Sequence, residues 1–260
     1  MAQAPPCDNV ARAAGVDAHA HLDDPCFDAD RSEVLDRARA RGIGSVVLAA
    51  GNPRHWDRVR RVAEAHHLPF GIGIHPWWPE PDFLEVLPDA LDGACAIGET
   101  GLDHHRARDA QTRALQRRLL EAHLTLAAER DLPVVLHHVR ATSAVLDAVA
   151  ASNVRRGVLH AFVRGDVDRA LALGLHLSFG TDVVRSPRAL QAACEAPLDR
   201  ILFESDAPDR PVTGDRGEPA HVVDLVTQVA ERRGMAPEAL LAYSGDNARR
   251  LFGLGERPAP

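Results

Sequence analysis

The chain has 260 residues, 45% of them apolar, and a formal net charge of −7. That length suits one large domain, since a single (β/α)8 barrel runs to about 250 residues. The acidic balance argues against non-specific coating of DNA or an anionic membrane, and no apolar run is long enough to span a bilayer.

Residues 1–14 have neither the charged nor the apolar region of a signal peptide, so they are expected to be a flexible leader to a cytoplasmic protein. A flexible tail is expected at 255–260, and no obligate protein partner is evident. Four cysteines (Cys7, Cys26, Cys95, Cys194) show no CxxC pairing, which argues against a zinc ribbon, a disulfide framework or a thioredoxin-type site. Histidine is abundant at 14 residues and lysine is absent. Schiff-base chemistry, a P-loop lysine and a carbamylated-lysine metal bridge are thereby excluded.

Along the chain, short runs rich in Val, Ile and Leu alternate with longer helical patterns. The runs fall at 15–18, 45–49, 70–74, 94–98, 134–137, 157–159, 176–179 and 201–203. They are mostly free of charge, as strands buried on both faces should be. Helical spacing occupies 32–41, 53–67, 82–91, 110–130, 142–151, 166–173, 187–195 and 219–233, with a last helix at 237–251. Ser32 stands in a capping position, Pro53 and Pro187 suit a first turn, and Gly42, Gly174 and Gly234 sit where helices should stop. Eight strand–helix pairs predict an α/β protein with one TIM barrel, (β/α)8, over 15–254. A doubly wound open sheet is the alternative, but it rarely needs eight regular units.

In such a barrel the active site lies at the carboxyl ends of the strands. Strand one ends in Asp17-Ala-His19-Ala-His21, strand three in His75 and strand four in Glu99. Strand five ends in His137-His138, strand six in His160 and strand eight in Glu204-Ser-Asp206. A strand alternates faces with period two, so His19 and His21 point one way while Val16, Ala18 and Ala20 point the other. A lone HxH is weak evidence. Imidazoles and carboxylates delivered to one rim by six strands suit Zn2+, Mn2+ or similar ions. Six donors exceed the needs of one tetrahedral ion. Glu99 can bridge two divalent ions, one held with His19, His21 and Asp206, the other with His137 and His160. Two-metal sites clamp the attacking and leaving oxygens of a displacement and supply hydroxide at neutral pH. Asp206 could orient or deprotonate the water.

These residues resemble the TatD family of metal-dependent deoxyribonucleases, over about residues 16–252. The resemblance rests on "DAHAHLD" (17–23), "GIHP" (73–76), "IGETGLD" (97–103), "PVVLH" (133–137), "LHAF" (159–162) and "ESDAP" (204–208). It implies a barrel of the metallo-dependent hydrolase type. It also implies divalent-metal hydrolysis of phosphodiester bonds (Mg2+, Mn2+ or Zn2+), often as a 3′→5′ exonuclease on DNA ends, with His75 contacting phosphate. The chain departs from the family at strand five, where His-x-Arg becomes His137-His138-Val139-Arg140. The strand position makes His137 the ligand; the His-x-Arg spacing would make it His138. The family's "HCFTG" reads His160-Ala-Phe162-Val-Arg164-Gly165 here.

Around this core, His104, Arg106 and Arg140 are expected near the mouth, where arginine suits a phosphate. Trp77 and Trp78 could stack on a base or cover the core rim. Asp17, Asp103 and Glu204 are expected to hold neighbouring ligands. His66, His67, His105 and His123 read as surface residues on helices. The leading activity is a metal-dependent phosphodiesterase acting on single-stranded DNA ends. The alternatives are hydrolysis of an ester or amide (a lactone, a cyclic amide, a D-aminoacyl-tRNA) or a non-enzymatic protein with a vestigial site.

Overall fold

The computed structural model describes residues 15–255. The leader expected at 1–14, and all of the expected tail except Gly255, lie outside the described residues. Eight strands follow in chain order: β1 Gly15–Ala20, β2 Ile43–Ala50, β3 Phe70–Ile72, β4 Ala96–Asp103, β5 Val134–Val139, β6 Gly157–Leu159, β7 Leu175–Phe179 and β8 Ile201–Phe203. They pair in parallel as one sheet in the order β1-β2-β3-β4-β5-β6-β7-β8. Beyond the strand ends, His21 N donates to Ala207 O (2.7 Å) and Asp206 N to His19 O (3.0 Å), drawing the last strand to the first. The result is a nearly closed TIM barrel with helices between its strands.

The helices are α1 Arg31–Ala40, α2 Trp56–His66, α3 Leu87–Ala90, α4 Ala110–Arg130, α5 Thr142–Ala150, α6 Val167–Ala172, α7 Pro187–Glu195, α8 Val222–Arg233 and α9 Pro237–Phe252. Three expected helices are broken. The 53–67 run opens as a 3-10 turn at Pro53–His55, and the 219–233 run opens likewise at Pro219–His221. The 82–91 run becomes a 3-10 turn at Pro81–Leu84 and the short α3, where Pro88 removes a backbone donor in the first turn. Ser32 does not cap α1: the cap position is Asp30, whose carboxylate instead accepts from Arg216. Gly42 and Gly174 follow their helices at positive φ, and Gly234 is a left-handed C-cap.

Val16, Ala18, Val47, Ala96, Val135, Val158 and Leu202 form a layer inside the barrel, packed against Ala248, Leu251 and Phe252 of α9. A larger core lies between strands and helices, with Ala20, Leu48, Ile97, Leu136, Leu159 and Phe203 facing it. From the inner layer, period two carries Val135 to His137, Val158 to His160 and Leu202 to Glu204. On β1 the expectation fails, because Val16 and Ala18 themselves face inward. Register irregularities, Asp17–Ala20 on β1 and Ile97–Thr100 on β4, break the alternation. One extra residue there turns His19 and Glu99 toward the axis, as bulges beside functional sites do. Gly101 follows Glu99 with φ +145°; a Cβ there would sit 2.0 Å from His137 O, so no side chain fits.

Candidate metal centre

Glu99 lies at the middle of the carboxyl-end rim, 2% exposed. Its two oxygens face different partners. Oε2 is 3.2 Å from His19 Nε2 and 3.9 Å from His21 Nε2. Oε1 is 2.9 Å from His137 Nδ1, 3.1 Å from His75 Nε2 and 3.8 Å from His160 Nε2. Asp206 Oδ1 completes the first side, at 3.5 Å from His21 Nε2 and 3.8 Å from His19 Nε2. It also lies 3.9 Å from His160 Nε2. Three donor groups are close enough to share an ion: His19–His160–Asp206, His19–His21–Glu99 and His75–Glu99–His137.

The hydrogen bond at the far side of each ring decides which nitrogen is free, because a metal needs an imidazole lone pair. His21 Nδ1 donates to Ala49 O at 2.9 Å, leaving Nε2 for the centre. His160 Nδ1 lies 2.8 Å from Glu204 Oε1, which leaves its Nε2. His137 Nε2 is 3.3 Å from Asp103 Oδ2, which leaves Nδ1 toward Glu99. His19 Nε2 is buried and makes no hydrogen bond among the described residues, although Glu99 Oε2 and Asp206 Oδ1 converge on it at 3.2 and 3.8 Å. The residues present therefore fit a divalent cation.

His138 and His75 follow a different rule. His138 Nε2 donates to His160 O (3.0 Å) and its Nδ1 faces Thr142 Oγ1 (2.9 Å), so both nitrogens are spent away from Glu99. His75 Nδ1 accepts from Trp77 N (3.1 Å), so the neutral ring carries its proton on Nε2 and presents a donor to Glu99 Oε1. Burial pushes both rings down to about 4, keeping them neutral.

Glu99, Asp206 and Asp103 are held ionised. Burial raises Glu99, but His75, His160, His19 and His137 together bring it well below its ordinary value. Burial likewise opposes ionisation of Asp206, yet His160, His21 and His19 hold it at about 2. Asp103 is lowered by His137 and Trp77 against its own burial; Trp77 Nε1 donates to its Oδ2 at 2.6 Å. Behind the donors, Ser205 N and Oγ donate to Asp17 (2.9 and 2.6 Å), tying the start of the chain to the segment that carries Asp206. Ser178 Oγ and Ala161 N donate to Glu204, both at 2.6 Å.

A cleft of about 490 Å3 opens over these groups. His21, His75, Glu99, His137, His160 and Asp206 line it, while His19 lies beneath them. Asp23, Asn52, His55, Asp209 and Arg210 also line it, and the sequence reading missed their place. The signal for Asn52 and His55 was "GNPRH" directly after β2, a rim position by the same rule that found the others. Arg106 lies outside the central cleft, in a neighbouring hollow, with its guanidinium 3.7 Å over the Trp77 ring. His104 and Arg140 line neither cavity. His123 is not a surface residue: it is fully buried in α4.

A parallel eight-stranded barrel with imidazoles and carboxylates gathered at its carboxyl rim defines a metal-dependent hydrolase. The family model described as TatD related DNase matches residues 16–253, and the chain belongs to the TatD family. An uncharacterized metal-dependent hydrolase of Bacillus subtilis, YabD, is 30% identical over 91% of this chain and 98% of its own. The 3'-5' ssDNA/RNA exonuclease TatD of a Rahnella species is 32% identical over 89% of this chain and 95% of its own. Among solved structures, YjjV, a TatD homologue of Escherichia coli, superposes with a TM-score of 0.85 at 28% identity, covering 94% and 99% of the two chains.

Proposed function

We propose that the protein hydrolyses phosphodiester bonds at single-stranded nucleic-acid ends, DNA above all, as a 3′→5′ exonuclease requiring two divalent ions. The observation that carries the reading is the division of Glu99, one oxygen toward His19 and His21, the other toward His137. His19, His21, Glu99 and Asp206 would hold one ion; Glu99, His137 and His160 would hold the second. Such ions acidify a water and neutralise charge on phosphoryl oxygens.

The chain's own groups do the rest. Asp206, its side chain 21% exposed in the cleft, is ionised; with Oδ1 turned to the ion, its other oxygen would take the proton of the attacking water. His75 Nε2–H, which faces Glu99 Oε1 in the free site, would turn to a non-bridging phosphate oxygen when a strand is bound. Asp103 and Glu204 fix the rings of His137 and His160. Trp78, 40% exposed, offers a face for a terminal base. Support for the nucleic-acid substrate comes from the Rahnella relative and a Pectobacterium parmentieri relative of the same description, 31% identical over 88% of this chain.

The test is a 5′-labelled single strand incubated with EDTA, Mg2+, Mn2+ or Zn2+, beside a panel of lactone, cyclic amide and aminoacyl esters. Metal-dependent shortening from the 3′ end is the expected result. Turnover confined to the esters or amides would overturn it.

A further inference from the structure

Two groups of arginines on the rim loops differ in their partners. After β2 and β8, each of Arg54, Arg210 and Arg216 is ion-paired, with Glu80, Asp182 and Asp30 respectively. After β4, β5 and β6, Arg106, Arg108, Arg140 and Arg164 make no side-chain hydrogen bond or ion pair among the described residues. These three strands are neighbours in the sheet, so the loops that carry the four arginines lie side by side on the rim.

Carboxylates on these loops are spent locally. Asp109 accepts from Thr112 N and Oγ1 (2.7 and 2.8 Å), and Asp166 accepts from Arg169 N (3.0 Å), each capping the helix that follows. Asp103 also lines the hollow, but it is 2% exposed and its oxygens accept from Trp77 Nε1 and from the backbone N–H groups of His105 and Arg106. In a chain of net charge −7, a run of unneutralised arginines beside the mouth is a local positive field. It also has a shape. Arg106 and Arg108 line a hollow of about 490 Å3 that shares Trp77 and Val139 with the cleft over the metal centre. Trp77 and Val139 are 37% and 41% exposed there.

We infer that this side of the rim is a track for the part of a single strand not being cleaved, its phosphates lying on Arg106, Arg108, Arg140 and Arg164. The inference rests on the phosphodiesterase reading for the identity of the strand. Guanidiniums match phosphate oxygens in a planar fork, and the cation–π contact on Trp77 holds Arg106 ready. A single strand placed here would leave the cleft past β4 rather than over the acidic side, where Asp23, Asp24 and Asp209 line the wall.

The experiment uses fluorescein-labelled (dT)12 and the full chain in EDTA, with anisotropy read across a salt series. No hydrolysis occurs, so the readout is independent of turnover. The Arg108→Ala/Arg164→Ala double variant should bind at least fivefold more weakly. Its slope of log K against log[salt] should be shallower by about 1.4, from roughly 0.7 per single-strand phosphate contact. Arg54→Ala, which removes a paired arginine, should match the wild type. Equal affinity and slope for the double variant would overturn the track, even if the wild type shortens strands. Arginine-dependent binding by a protein that cleaves only esters would keep the track and overturn the hydrolytic reading instead.

Discussion

His138 Nε2 donates to the carbonyl oxygen of His160 at 3.0 Å, although His137 beside it turns a ring nitrogen to Glu99. Adjacent strand residues face opposite ways, so only one of the pair can reach the centre. His137→Ala should lose one of two bound ions and almost all turnover. His138→Ala should keep both ions, with affinity lowered about tenfold through the loosened β6 end. Metal analysis of both variants after gel filtration decides this, and the reverse pattern would make His138 the ligand.

Glu204 stands behind His160. Its Oε1 lies 2.8 Å from His160 Nδ1, and it also accepts from Ala161 N and Ser178 Oγ. Glu204→Gln preserves volume but weakens the acceptor that fixes the ring. Metal affinity should fall about 10- to 100-fold, with an unchanged circular dichroism spectrum. Unchanged affinity would reduce Glu204 to a packing role.

His123 links stability to pH. Its Nδ1–H donates to Leu119 O (2.7 Å), and its Nε2 accepts from Ile74 N (3.0 Å), one residue before His75. Both roles require the neutral ring, and burial lowers its pKa to about 4. An unfolded histidine titrates near 6.5. The unfolded chain therefore binds the extra proton between pH 6.5 and 4. Stability from this group is complete above 6.5 and is lost as pH falls through that window, by about 3 kcal/mol. Urea unfolding in EDTA should show His123→Leu less stable at pH 7 but flatter from pH 6.5 to 4. A slope equal to the wild type's would remove His123 from the account.

Gly101→Ala should destabilise the barrel by about 3 kcal/mol, combining positive-φ strain with overpacking against His137 O. Thermal unfolding measures it. A change under about 0.5 kcal/mol, the usual span of a neutral surface substitution, would mean that β5 yields easily.

The strand ends could be read from sequence because buried parallel strands are apolar, so a polar residue at a strand's end stands out. That rule placed His19, Glu99, His137, His160 and Asp206 at the rim, where the structure has them. The facing of β1 and β4 was not legible, since a one-residue irregularity leaves no mark in the apolar pattern. Nor was His123, which sits on a polar-looking helix; its partner Ile74 is 49 residues away in sequence. Asp17 and Ser205, 188 residues apart, meet only when the barrel closes.

Glu99 belongs to two of the three donor groups at the rim, and the proposed function shares it between two ions. Calorimetric titration of EDTA-stripped protein with Mn2+ should show two equivalents for the wild type. Glu99→Gln, which removes the shared charge and leaves the shape, should bind neither ion tightly while remaining folded. Two equivalents retained in Glu99→Gln, or a single equivalent in the wild type, would contradict a carboxylate shared between two ions.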